Sequence, residues 1–237
     1  MDSAPPRLSI VLPTYNERDS LARLDPELES ALAGRSAEIV VVDDASPDGT
    51  AAFVRSLRGA VPHIVIERGG KQGLASAVLA GIAESHGSIV VVMDADGSHS
   101  PTAIPALVDA IDRGAEFALA SRTIAGGSSE GLSVGRRWMS LAATWMARPL
   151  ARVSDPMSGF FAVRRSVLAR ASLAPQGFKI GLEILVRCRP HPIAEVPIHF
   201  RPRFAGESKL GGNEVRNYLA HLTSLYRARW GEESSPR

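Results

Sequence analysis

The 237-residue chain has a single cysteine, Cys188, which has no second thiol to join and so forms no internal disulfide. No apolar targeting segment precedes the first strand-like run. Together these features predict a reducing, cytoplasmic compartment. Nor does any stretch reach the ~20 apolar residues that a membrane-spanning helix needs. The longest candidate, Trp138 to Leu150, contains Arg148 and Pro149. A Gly-x-Gly-x-x-Gly after the first strand is missing, which argues against a dinucleotide oxidoreductase. So is any stacking-aromatic array or known module that would direct basic residues to nucleic acid, and no nucleic-acid partner is expected.

The composition that remains is 45% hydrophobic and 22% charged, which is globular usage and excludes disordered and collagen-like chains. Residues 1–237 read as one domain without an internal repeat or linker. The net charge of +2 conceals a split at Gly135: residues 1–135 carry 10 basic and 18 acidic side chains, whereas 136–237 carry 17 and 7. One half is thus at −8 and the other at +10, an asymmetry that points to different partners for each.

Short apolar runs, Leu8 to Leu12, Ile39 to Val42, Ile64 to Ile66, Ile89 to Met93 and Phe117 to Ala120, alternate with helix-length stretches at 17–33, 49–58, 73–86 and 101–113. Near-continuous Val and Ile content predicts strands buried on both faces of a mostly parallel sheet, the βαβ rhythm of an open α/β fold. Gly126 to Ser129 reads as a flexible loop. After it come a helix from about Arg136, a strand at Gly159 to Val163, a short helix near 180–188, a strand at Ala194 to Phe200 and a terminal helix from about Asn213.

Ligands of open α/β sheets bind outside the carboxyl ends of the strands. Three of these ends are polar: Pro13-Thr14-Tyr15-Asn16-Glu17, Asp43-Asp44-Ala45-Ser46 and Asp94-Ala95-Asp96. Clustered carboxylates need an answering cation or donor. Asp94 and Asp96, two apart in an extended segment, suit Mg²⁺ or Mn²⁺ bridging to a diphosphate. Taken alone, the same spacing also fits a helix cap at Asp96.

The strings Ile10 to Glu17, Val42 to Thr50 and Met93 to His99 resemble family 2 glycosyltransferases in order and spacing. Ser121-Arg122, Asp155 to Phe161, Gly177 to Glu183 and Gly206 to Leu210 resemble its dolichyl-phosphate mannose synthase branch. The resemblance covers about residues 8 to 230. It implies a GT-A fold, a Rossmann-like sheet flanked by helices, with interfacial amphipathic helices toward the C-terminus. The donor and metal part lies at about 8–125 and the acceptor part at about 126–230. The implied reaction is inverting transfer of mannose from GDP-mannose to dolichyl or polyprenyl phosphate, with Mg²⁺ or Mn²⁺.

Carried over by position, Pro13, Tyr15 and Glu17 match the nucleotide pocket, Asp44 the carboxylate that contacts the base, and Asp94, Ala95 and Asp96 the donor and metal site. Ser98 matches a further metal ligand, direct or through water. Arg122, Arg136 and Ser140 match the acceptor phosphate site, with Arg137 beside Arg136 leaving that register open. Arg203 and Lys209 match the basic segment that closes on the diphosphate. Asp155 either orients an acceptor-site arginine or caps the turn before Ser158. No strong general base is expected, because a phosphate monoester with a second pKa of about 6 is already anionic near neutrality.

Trp138, Leu141, Ala142, Trp145 and Met146 form an apolar stripe flanked by Arg136, Arg137, Arg148 and Arg152. It suits either core packing or an interfacial helix. Val215, Leu219, Leu222 and Tyr226 repeat the pattern, here favouring core. A lipid acceptor requires a membrane surface, reached at its cytoplasmic face through such a helix or a membrane-anchoring partner subunit. The competing functions are transfer of another sugar from UDP-glucose or UDP-N-acetylglucosamine to a lipid phosphate or polysaccharide, and a non-catalytic nucleotide-sugar-binding subunit.

Overall fold

The computed structural model describes residues 5–129, 134–173, 179–204 and 212–230. Its first half alternates β1 (Leu8–Thr14), α1 (Arg18–Leu32), β2 (Ala37–Asp43), α2 (Thr50–Ser56), β3 (His63–Glu67), α3 (Leu74–Glu84) and β4 (Ile89–Val92). A 3₁₀ turn at Pro101–Ala103 leads into α4 (Ile104–Asp112), and β5 (Phe117–Ser121) follows. The second half contains β6 (Ser128–Ser129), α5 (Val134–Ala147), β7 (Phe161–Arg164), α6 (Arg165–Leu168), α7 (Ile180–Arg187), β8 (Ile193–Pro197), β9 (His199–Phe200) and α8 (Gly212–Trp230).

Seven strands form one sheet in the order β3-β2-β1-β4-β7-β5-β8. β1 pairs in parallel with β2 and β4, β2 with β3, and β5 with β8, whereas β7 runs antiparallel between β4 and β5. Six strands therefore deliver their carboxyl ends to one edge, and β7 starts from that edge.

Successive strand side chains point to opposite faces, so each central strand feeds two cores. Ile10, Leu12, Ile39 and Val41 pack with Leu21, Leu24 and Leu28 of α1 and Ile104 and Leu107 of α4. Val11, Val40, Val42 and Val90 pack on the other face with Val78 of α3 and with buried residues of α5, α7 and α8. A Cβ at Gly81 would lie 2.5 Å from the Val11 side chain, so α3 sits closer to the sheet than any other residue would allow.

One expectation changes and one open alternative narrows. The supposed flexible loop at Gly126 to Ser129 ends in β6, which pairs with β9, Ser128 opposite His199 and Ser129 opposite Phe200. Of the apolar stripe of α5, left open between core packing and an interfacial helix, Leu141 and Trp145 are 60% and 75% exposed and Met146 packs partly against the core, while Ala143 and Ala147 are buried. In α8 the buried residues include Tyr218, His221, Leu222 and Leu225, with Leu219 exposed. Among the described residues, no helix is long and apolar enough to cross a membrane.

Candidate active site at the carboxyl edge of the sheet

The loops after β1 and β2 clasp each other. Asn16 turns the chain with φ of +61°, and its N–H donates to Ser46 Oγ at 2.8 Å. The N–H groups of Glu17 and Arg18 donate to Thr50 Oγ1 and Asp48 Oδ2, both at 3.1 Å. Asp43 is consumed within this clasp, accepting from the Thr14 hydroxyl at 3.0 Å and the Ser46 N–H at 2.9 Å. Asp44 is buried, ion-paired with Arg68, and accepts the Gln72 N–H at 3.1 Å. The 68–73 loop is thereby drawn over the end of β2, and Lys71 Nζ lies 4.6 Å from the centre of the Tyr15 ring.

A second group forms after β4. Asp96 Oδ1 accepts the Ser98 N–H at 2.9 Å and its hydroxyl at 2.6 Å, while Oδ2 lies 2.8 Å from Arg203 Nε. Gly97, at φ +82°, permits this turn; a Cβ there would sit 2.2 Å from Phe204. Asp94 is fixed from behind: its N–H donates to Nδ1 of buried His99 at 3.0 Å, so the His99 ring carries its proton on Nε2. The ring stacks on Phe160 at 5.1 Å and meets Phe200 edge-on at 5.6 Å. Burial holds His99 below the ordinary imidazole range, hence neutral. Glu17 faces the same place: burial pushes its carboxyl up to about 7, the Asp96 and Asp94 charges adding to the rise, while the Ser20 hydroxyl and Arg203 oppose it.

The carboxylates of Glu17, Asp94 and Asp96, at the ends of the neighbouring strands β1 and β4, are hard oxygen donors whose chemistry fits a divalent cation such as Mg²⁺ or Mn²⁺. The compact group Asp25, Glu29 and His63 is a different cluster, at the amino end of β3 and therefore at the opposite edge.

The third group lies where β5 ends and β7 begins. Arg122 grips Asp155 with two prongs, Nε to Oδ2 at 2.7 Å and Nη2 to Oδ1 at 2.8 Å, and its backbone N–H donates to Oδ2 at 3.1 Å. Burial opposes charge on both, yet their hydrogen bonds and mutual attraction hold Asp155 below the usual carboxylate range and Arg122 above its own. Of the two readings of Asp155, the arginine partner is the one realised. Lys179, just before α7, donates to Met157 O at 2.5 Å. Burial brings its ammonium down to about 8, with Arg122 adding and Asp94 and Asp155 opposing.

The family model for glycosyl transferase family 2 matches residues 9–171, spanning all three groups. The chain belongs to glycosyltransferase family 2. It is 43% identical to the dolichol-phosphate mannosyltransferase of Pyrococcus furiosus, over 92% of its own length and 63% of that relative's. With the dolichol-phosphate mannosyltransferase of Saccharomyces cerevisiae it shares 37% identity over 94% of this chain and 88% of the other. With the polyprenol monophosphomannose synthase of Mycolicibacterium smegmatis it shares 35%, over 95% and 87%. A solved structure of Mycobacterium tuberculosis glucosyl-3-phosphoglycerate synthase, with Mn²⁺, UDP-glucose and phosphoglyceric acid, superimposes with a TM-score of 0.69. It covers 95% of this chain and 80% of that one at 23% identity, a likeness of fold.

In this family 2 glycosyltransferase the structure gathers Glu17, Asp94, Asp96, Ser98 and Arg203 in one group and Arg122 with Asp155 in another. Pro13, the penultimate residue of β1, and Ala95, between Asp94 and Asp96, sit at the same edge. Ser140 is half-buried on α5, Arg136 is described only as α5 backbone, and Lys209 and the Gly206 to Lys209 segment lie outside the described residues. Sequence reasoning missed Arg68, His99 and Lys179. The signal for Arg68 was the buried position of Asp44 at a strand end, which requires a cation.

Proposed function

We propose that the chain transfers mannose from GDP-mannose to the phosphate of a dolichyl or polyprenyl lipid, with inversion at the sugar carbon. The observation that carries this reading is the 43% identity to a dolichol-phosphate mannosyltransferase across 92% of the chain.

In the reaction, an acceptor phosphate oxygen forms a bond to the sugar carbon as the bond from that carbon to the GDP diphosphate breaks. Asp94 and Asp96, with Ser98 beside them, would hold a divalent cation, which would supply positive charge against the leaving diphosphate. Arg203, already on Asp96, brings a second positive charge to the same place, preorganised stabilisation that costs no reorientation during the reaction. Lys209 adds to it. Pro13, Tyr15 and Asp44 line the nucleoside pocket, with Arg68 and Lys71 closing it. Arg122, Arg136 and Ser140 orient the acceptor phosphate, which near neutral pH needs positioning more than deprotonation. Asp155 holds the Arg122 fork in its plane.

The acceptor sits at a bilayer, and a groove of about 490 Å³ between α5 and α8 suits that setting. Trp145, Met146, Leu219, Leu222 and Tyr226 line it, with Arg148 at its rim. Apolar side chains beside arginines fit the headgroup boundary of the cytoplasmic face. The test is transfer of labelled mannose from GDP-mannose into a solvent-extractable lipid, with and without Mg²⁺ or Mn²⁺. UDP-glucose and UDP-N-acetylglucosamine serve as competing donors. Metal-dependent mannolipid is expected; preferred turnover of a UDP-sugar would overturn the donor assignment.

A further inference from the structure

We propose that His99 is a positioning residue for both halves of the transfer site: its Nδ1 fixes the metal-ligand candidate Asp94, and its ring, through Phe200, supports Arg122 of the acceptor half. The inference rests on the proposed assignment of those two halves. β4 ends at Val92, and the Met93 N–H still reaches Val11 O of β1 at 3.3 Å. The next N–H, that of Asp94, has left the ladder; it donates to His99 Nδ1 at 3.0 Å and closes the 94–99 loop. The same nitrogen lies 3.8 Å from Asp94 Oδ2. A neutral imidazole meets that N–H without setting another anion against the carboxylate, as an aspartate or glutamate in its place would.

The ring is held as firmly as the loop it closes. His99 is 3% exposed, stacked on Phe160 with 5.1 Å between centroids and meeting Phe200 at 5.6 Å and 71°. Phe160 is fully buried and its carbonyl accepts the Ala120 N–H of β5 at 2.9 Å, so this wall belongs to the sheet. Phe200, in β9, is the second wall, and the Arg122 guanidinium carbon lies 5.4 Å from its ring centre. Asp155 fixes the Arg122 fork from one direction, and the Phe200 ring limits it from another. One imidazole thus serves the loop that carries Asp94 with a nitrogen and the ring that carries Arg122 with its packing. Groups that touch no metal but orient what does commonly change metal affinity by about 10- to 100-fold.

Two substitutions separate the halves. His99→Asn keeps an acceptor where Nδ1 stands and removes the ring; His99→Phe keeps a ring and removes the acceptor. Mn²⁺ affinity is read by electron paramagnetic resonance in the presence of GDP, and binding of farnesyl phosphate, a short single-phosphate polyprenyl probe, by calorimetry. His99→Phe is expected to weaken Mn²⁺ about 10- to 100-fold, with farnesyl phosphate near wild type. His99→Asn should hold Mn²⁺ near wild type and weaken farnesyl phosphate about 3- to 10-fold, the worth of one lost aromatic contact. A histidine that only fills space does not give this crossed pattern, since general loosening moves both affinities together. Equal losses in the two variants overturn the inference, as does unchanged Mn²⁺ affinity in His99→Phe or unchanged farnesyl phosphate affinity in His99→Asn. If His99→Phe does not fold, His99→Leu against its near-isostere His99→Asn carries the metal half, and Phe200→Leu, which leaves Nδ1 in place, the acceptor half. Mannolipid formation from GDP-mannose by wild type tests the functional reading separately; its failure leaves both binding comparisons intact, and they decide the role of His99.

Discussion

Arg122 and Asp155 form a two-pronged ion pair in which the arginine side chain is 16% exposed and the carboxylate 1%. Removing one partner of such a pair leaves a desolvated charge behind. Asp155→Ala is therefore expected to lower unfolding free energy by about 3–5 kcal/mol, read from urea titration. Arg122→Met with Asp155→Met should recover stability without recovering turnover. A double-mutant cycle with strong coupling in stability is the expected result; additive losses would show that the two side chains act independently.

Asp94 and Asp96 are expected to matter for the reaction and little for the fold, because both lie in loop backbone after β4. Asp94→Asn and Asp96→Asn should each reduce kcat by about 10²-fold or more, with unchanged circular dichroism and weakened Mn²⁺ binding by electron paramagnetic resonance. Chelation of the metal should stop turnover in wild type, and added Mn²⁺ or Mg²⁺ should restore it.

Gly97→Ala is expected to damage the site through backbone geometry. The φ of +82° disfavours any side chain by about 1–2 kcal/mol, and the new methyl meets the Phe204 ring. The Phe204 N–H donates to Asp96 O at 2.9 Å, and Arg203 immediately precedes it. A raised KM for GDP-mannose is the expected readout, with acceptor KM less affected.

The groove between α5 and α8 gives a membrane prediction. Trp145→Glu and Leu219→Glu should abolish sedimentation with vesicles containing anionic lipid. Turnover of a short, water-soluble polyprenyl phosphate should persist, since neither residue belongs to the three groups at the sheet edge. Vesicle binding that survives both changes would place membrane contact elsewhere.

Glu116 supplies a pH prediction remote from the chemistry. The Arg170 guanidinium and the His191 N–H hold its carboxyl down at about 2. A folded value below the ordinary glutamate value of 4.5 stabilises the fold above that pH, and the contribution is lost as pH falls toward 2. Glu116→Gln should therefore narrow its stability gap to wild type across that window in urea titrations; a gap constant from pH 7 to 2 would contradict the assignment.

Most of the parallel sheet was legible because strands buried on both faces must be nearly all apolar, as Ile39 to Val42 and Ile89 to Val92 are. The reversal of β7 was not, since Phe161 to Arg164 carries no local mark of direction; only its partners β4 and β5 define it. Two-residue pairing such as β6 with β9 is too short to leave a period in the sequence. On α5 the apolar period was correct, but a period does not say which side faces protein. The strand-end carboxylates stood out as acids needing an answer. Their partners did not, since Arg68 is 24 residues from Asp44 and Asp155 is 33 from Arg122.

The antiparallel strand also bears on how the protein is made. Residues 161–164 come from the basic half of the sequence but lie between two strands of the acidic half. A chain emerging from the ribosome can pair β1, β2, β3 and β4 early, yet β5 has no place beside them until β7 arrives. The centre of the sheet is thus a late, long-range closure, the kind of step that is slow and leaves a strand edge open meanwhile. A fragment ending near residue 125 would retain that open edge permanently. The boundary that separates the charges along the chain is one the folded molecule does not respect.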